Sequence, residues 1–210
     1  MAEKLEVYDL KGNLIGVQDR KEFYDEIKAE FKRTGKITKL VKTIRLLLMN
    51  SKGRIYLQKR SNLKNENPGL YDKTVGGHVA AGDSYNMTTI RECAEELGFP
   101  ASILSAKEFD RAIKVTDLNI VGVFKEVDHK NYFESVRITK KGNSFVQPTF
   151  DSSYIGYYNG AIRFVDGECS GIEVFSLNEL EDEMRNSPEK FTEDIKFMIK
   201  KYKKYLKPIN

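Results

Sequence analysis

Between Gly76 and Phe99 the chain reads GGHVAAGDSYNMTTIRECAEELGF, and this stretch constrains the fold most because it sets an acidic helix directly behind a glycine turn. With a helix from about Ser84 to Leu97, Glu92, Glu95 and Glu96 stand at i, i+3 and i+4 and project from one face. Ile90, Cys93, Ala94 and Leu97 form the apolar stripe expected to pack on a core. Like charges at this spacing repel, and a hard divalent cation would remove the repulsion. Mg²⁺ takes oxygen ligands, keeps several waters, and is held by one or two carboxylates together with substrate phosphates. The spacing lets Arg91 pair with Glu95 at i+4, and the glycines in front of the helix let the backbone approach a ligand closely.

The same run resembles the Nudix box: a glycine, five residues, an acid, seven residues, then Arg-Glu-hydrophobic-x-Glu-Glu-x-Gly-hydrophobic. Here the positions are Gly77, Asp83, Arg91, Glu92, Cys93, Glu95, Glu96, Gly98 and Phe99, and every spacing holds. Asp83 stands where that family usually has Glu, and Cys93 where a larger aliphatic is commoner. Neither departure removes a carboxylate from the helix.

A length of 210 residues, 40% of them hydrophobic, and a net charge of +4 read as a soluble globular chain with a real core. The modest positive balance suits an anionic substrate, and without a stripe of Arg interleaved with aromatics nucleic acid is not expected as a partner. Cys93 and Cys169 make neither a disulfide framework nor a metal pattern, so a reducing cytoplasm is the expected compartment. Met-Ala-Glu-Lys opens no signal peptide, and no run approaches a membrane span, so no membrane contact is expected.

Residues 4–17 read as a strand, a turn and a strand; Asp19 with Glu22 then opens a helix in which Phe23, Ile27 and Phe31 repeat until Gly35. Residues 1–35 are therefore expected as a hairpin-and-helix extension, a candidate homodimer surface, ahead of a main domain over 36–210. Residues 37–50 and 54–60 give a central hairpin, and a short strand through Thr74 and Val75 delivers the glycines to the acidic helix. Strands are expected over 118–127, 133–139 and 154–165, with turns at 140–143 and Asp166-Gly167, followed by a short buried strand at 172–175. Ser176 with Glu179 caps a helix to about Arg185. The final helix sets Phe191, Ile195, Met198, Tyr202 and Tyr205 against Lys196, Lys200, Lys203 and Lys204, the pattern of a packed amphipathic helix with a solvated basic face.

This order of elements is similar to the α/β/α sandwich of Nudix domains, an α/β fold with a mixed β-sheet, here with an N-terminal hairpin-helix extension and C-terminal helices. The phrases Leu57-Gln58-Lys59-Arg60-Ser61, Pro68-Gly69-Leu70-Tyr71-Asp72 and Gly76-Gly77-His78-Val79 resemble the branch that includes isopentenyl-diphosphate isomerase. Isomerases of that branch carry a proton-handling cysteine just before the Gly-His pair, where this chain has Gly76. They also place several histidines on one metal, where this chain has only His78 and His129. The resemblance therefore implies hydrolysis of a diphosphate joined to another group, most simply a nucleoside diphosphate derivative. Mg²⁺ or Mn²⁺ would bridge Glu92, Glu96 and the backbone carbonyl near Gly76; Glu95 or Glu92 would be the general base, with Arg91 orienting. Asp151, ranked ahead of Glu126 and Glu134, is the candidate for a further metal-binding acid outside the box. Arg60, Arg45 and His78 are the candidate substrate contacts, with Arg60 preferred because it ends a strand running toward the 61–69 loop. The aromatics within 129–160 are candidates to stack on a base or isoprenoid, although core packing is their commoner use. An isomerase-like diphosphate enzyme and a nucleotide-binding module without turnover remain the alternatives.

Overall fold

The computed structural model describes residues 3–163 and 169–209. Its organising strand is β3 (Lys39–Met49), an apolar run buried along most of its length because both of its faces are covered. On one side β3 runs parallel to β9 (Ser144–Tyr157), from Val41 opposite Thr149 to Met49 opposite Tyr157. On the other side three antiparallel partners share it in turn: β1 (Lys4–Asp9) near Lys39, β6 (Val75–His78) along Thr43 to Leu46, and β4 (Ile55–Arg60) at Leu48 and Met49. The expected central hairpin of β3 and β4 is therefore shallow, because β6 occupies the edge that a longer hairpin would fill. β2 (Leu14–Asp19) pairs with β1, while β5 (Tyr71–Asp72) and β10 (Cys169–Phe175) pair with β4. β8 (Gly122–Ile138) runs antiparallel to β9, and β7 (Ala101–Ile103) runs parallel to β8, so the sheet is mixed.

Strand alternation divides the core. Ile44, Leu46 and Leu48 face α2 (Tyr85–Glu96), packing with Cys93, Leu97 and Phe99. Leu47 and Met49 face the other way, onto Phe109 of α3 (Ala106–Val115), Leu180 of α4 (Leu177–Asn186) and Ile195 and Met198 of α5 (Glu193–Tyr202). Helices thus lie on both faces of the sheet, as expected of an α/β sandwich. α1 (Arg20–Thr34) starts at Asp19, whose side chain accepts from Lys21 N, and ends at Gly35 in the left-handed region at φ 72°. It lays Phe23 and Ile27 on Leu5, Val7 and Val41, and β1 joins the extension to the main sheet through β3.

Four features differ from expectation. α3 has a complete Ser105–Glu108 capping box in a stretch where no helix is expected from the sequence. The two strands expected over 118–139 are one long strand, β8, preceded by a turn at 118–120 and carrying register shifts near Glu126 and Lys130 where its pairing with β9 slips. β10 lies at a sheet edge and is mostly exposed rather than buried. The strand expected to reach residue 165 ends at Tyr157, and Val165, Asp166 and Gly167 lie outside the described residues. In the C-terminal helical region two of these lysines are matched locally, Lys196 by Glu193 and Lys203 by Glu181. No described helix is long and apolar enough to cross a membrane.

Candidate active site

The acidic helix forms where the box predicts, but it is rotated about its axis from the expected packing. Ser84 caps it by accepting from Met87 N, and its buried side is Thr88, Thr89 and Cys93, whereas Ile90 and Ala94 are exposed. Thr89 is tolerated inside because its hydroxyl donates to Tyr85 O at 2.9 Å. This rotation carries Glu92 and Glu96 to the border of the packed face, against β6, and leaves Glu95 in solvent. Gly77 makes the approach possible: a Cβ there would stand 2.8 Å from Glu92 Cδ. A Gly77→Ala variant should fold, yet displacing a positioned carboxylate by about 1 Å lowers kcat by about a hundredfold. Unchanged circular dichroism with reduced turnover is the check.

Glu92, Glu95 and Glu96 line a cavity of about 310 Å³ together with Gly76, Gly77, His78, Arg91, Glu3 and Arg20. Burial raises the Glu92 carboxyl above its ordinary pKa and Glu95 pushes it further, while Arg91 opposes both. The wall therefore holds negative charge in need of a cation. Its donors are all oxygens, and among the described residues no three acidic, His or Cys side chains yet close around a common point. An open oxygen wall fits Mg²⁺ or Mn²⁺, which retain water and complete their shells with phosphate. In the β3–β6 ladder, Val79 N donates to Lys42 O, so alternation turns the Gly76 backbone groups away from β3 toward the open edge. Arg91 does not pair with Glu95. Its Nη2 instead lies 3.5 Å from Asp83 and 3.9 Å from Glu92, tying the first acid of the box to the helix.

Gly76, Gly77, His78 and Arg20 also line a second cavity of about 250 Å³ on the α5 face of the sheet, so the glycine edge joins an acidic wall to a basic pocket. Arg60, expected as a substrate contact, lies in this pocket beside Lys64. Arg60 also clamps that loop, its Nη2 donating to Glu66 O at 2.9 Å. His78 shares a hydrogen bond of 2.7 Å with the Tyr24 hydroxyl, and burial, reinforced by Arg20 and Arg137, holds its pKa well below the ordinary value.

Two residues singled out in the sequence take other roles. Asp151 is not on the acidic wall: it is buried, ion-paired with Arg45, and accepts from Thr43 Oγ1 and Ser153 Oγ, each at 3.1 Å. It is thereby committed to the other side of the sheet, and the metal role expected of it lacks a geometric basis. Arg45, expected to contact substrate, is 2% exposed, is neutralised by Asp151 and Asp194, and stacks over the Phe133 ring at 3.7 Å. It supports the pocket from beneath. Lys73 links Asp72 to Asp194 in the same network. Most of the 129–160 aromatics are core residues, with Phe145, Tyr154, Tyr157 and Tyr158 buried and Tyr132 half exposed.

Sequence reasoning missed Arg20, Tyr24, Lys28, Lys73, Arg137 and Asp194 as pocket residues. Arg20, Tyr24 and Lys28 recur every four residues on α1 beside its core stripe, a readable signal. Arg137 and Asp194 carry no local pattern.

Comparison with known proteins agrees with this geometry. A family model described as the NUDIX domain matches residues 39–195, which contain the glycine edge of β6 and the acidic helix. The chain belongs to the Nudix family. Its Nudix relatives include an isopentenyl-diphosphate Delta-isomerase of Serratia proteamaculans, 23% identical over 91% of this chain and 87% of that protein. The crystal structure of DR0079 from Deinococcus radiodurans superposes with a TM-score of 0.62 at 18% identity, covering 94% of this chain and 98% of that one. The NUDIX domain of Shewanella oneidensis NrtR, solved with ADP ribose, superposes with a TM-score of 0.50 at 14% identity, covering 85% and 98%. At such identities the structural likeness speaks to the Nudix fold, and the family places the chain among hydrolases.

Proposed function

We propose that this Nudix hydrolase uses a divalent metal, Mg²⁺ or Mn²⁺, to cleave the diphosphate linkage of a nucleoside diphosphate joined to another group. The observation that carries the reading is the Glu92, Glu95 and Glu96 wall set on the glycine edge of β6, with a basic pocket opening across the same glycines. Glu92, Glu96 and the outward backbone of Gly76 would hold the metal, which supplies charge neutralisation and an acidified water. Glu95, exposed at the mouth, is free to take the proton of the attacking water, and Arg91 fixes Glu92 and Asp83 in place. Arg60 and its neighbours oppose the phosphate charge from the other side. The ADP ribose bound by the Shewanella domain is in keeping with a nucleotide derivative.

The isomerase reading is weaker for a structural reason. Position 76 is a glycine where the isomerase reaction needs a cysteine, and a side chain there would have to displace Lys73, whose Cε it would meet and whose Nζ is paired with Asp72 and Asp194. Cys93 offers no substitute, since it is buried and burial raises its thiol pKa far above the ordinary value. A phosphate-release screen over nucleoside triphosphates, ADP-ribose, dinucleotides, nucleotide sugars and coenzyme A should show metal-dependent cleavage of at least one. Isopentenyl diphosphate in the same assay should yield no dimethylallyl product. Isomerisation, or tight nucleotide binding without turnover in the presence of Mg²⁺, would overturn the proposal.

A further inference from the structure

Most cations on the wall of the basic pocket are already matched by carboxylates. Arg45 meets Asp151 and Asp194, Lys73 meets Asp72 and Asp194, Lys28 meets Glu66, and Arg20 meets Glu3. Arg137 on β8 differs. It lines the pocket, and its Nε is buried with no hydrogen-bond partner among the described residues. Burial works against its charge, and Asp194, Glu66 and Asp72 sustain it through their field, without an ion pair among the described residues. A guanidinium is a planar fork of donors suited to bidentate contact with phosphate oxygens. A buried donor without an acceptor is a group poised for a ligand that brings one.

The remaining lining favours a phosphoryl group over a nucleobase as that ligand. The Tyr24 ring meets the Phe23 and His78 rings edge-on at 5.5 and 5.6 Å, and Lys28 Nζ lies 5.4 Å over it. Tyr24 and His78, the ring side chains of the lining, already pack against each other, and Ile44 is its apolar aliphatic contribution. The cavity of about 250 Å³ offers charge and hydrogen bonds in place of a hydrophobic floor. It opens onto the acidic wall across Gly76 and Gly77, where the bond that breaks would lie.

We infer that the pocket around Arg137, with Lys28 at its rim, is a second anion subsite that takes a further phosphoryl group of the substrate, beyond the diphosphate that is cleaved. This rests on the hydrolase reading only for where cleavage occurs. The substrate is then a diphosphate bearing an additional phosphate, and its nucleoside, if present, sits outside this pocket.

Titration calorimetry with inorganic pyrophosphate and inorganic tripolyphosphate, in Ca²⁺ as an oxygen-binding cation in place of Mg²⁺ so that turnover is suppressed, tests it on the full chain. Wild type should bind tripolyphosphate at least about tenfold tighter than pyrophosphate, a difference of about 1.4 kcal/mol. Arg137→Gln should collapse the ratio to about one while pyrophosphate affinity holds, and Arg137→Lys should restore part of it. Lys28→Gln, at a partly exposed position where folding is not at stake, should lower the ratio too. A wild-type ratio near one, or a proportional loss of both affinities in Arg137→Gln with the ratio retained, overturns the subsite. Diphosphate turnover with a ratio near one defeats this inference alone. An intact ratio with no diphosphate turnover defeats the hydrolase reading alone.

Discussion

Glu96→Gln is expected to lower kcat about a thousandfold on any diphosphate the enzyme cleaves, because losing metal-based charge stabilisation removes several kcal/mol from the transition state. Glu96 shares the border of the packed helix face with Glu92. A neutral amide at position 96 keeps the shape and removes the charge that draws the cation. Glu95→Gln should also cost a hundredfold or more, about the worth of a general base, yet leave metal affinity nearly intact. Steady-state kinetics combined with metal titration separates these two roles, and wild-type kcat in Glu96→Gln would remove that residue from the machinery.

Asp194→Ala is expected to be the most damaging single change to the fold. Asp194 lies in the first turn of α5 behind the Thr192 cap, is 3% exposed, accepts from Ser135 Oγ, and faces Arg45 and Lys73. Removing one partner of a buried charge network costs about 3–5 kcal/mol, which for a chain of this size lowers Tm by about 10 °C. The pH dependence follows from its depressed pKa. Burial alone would raise the Asp194 carboxyl, but Arg45, Lys73 and Arg137 outweigh it and hold it below the ordinary 3.8. A group whose folded pKa is depressed contributes stability above its unfolded value and loses it as pH falls. Wild type should therefore lose stability below about pH 4, and Asp194→Ala should lose less over that range. Thermal melts from pH 7 to pH 3 measure both effects; an unshifted Tm at pH 7 would show that the network contributes little.

What the sequence revealed and what it hid follow from the range of the interactions involved. The box residues, the α1 stripe and the Ser176–Glu179 cap are set by contacts within a few positions, and each is found where periodicity and capping put it. α3, absent from the expected elements, rests on signals of the same short range, since Ser105 and Glu108 precede Phe109, Ala112 and Ile113 at helical spacing. The rotation of α2 does not, because Thr88 and Thr89 look solvated until β6 and β3 are seen beneath them. Read one residue at a time, Asp151 suggests a metal ligand and Arg45 a substrate contact. Only the parallel register of β3 with β9 reveals that they answer each other. Arg137 reaches the pocket through a long strand arm whose sequence gives no sign of where it lies in space.

Mn²⁺ titration followed by electron paramagnetic resonance tests the central claim most directly, because it needs no knowledge of the substrate. Wild type should take up Mn²⁺, and the Glu92→Gln/Glu96→Gln double variant should lose that binding while Asp151→Asn retains it, provided its circular dichroism is unchanged. Undiminished Mn²⁺ binding by a folded double variant would contradict the account, since the acidic wall on the glycine edge would then not be the metal site.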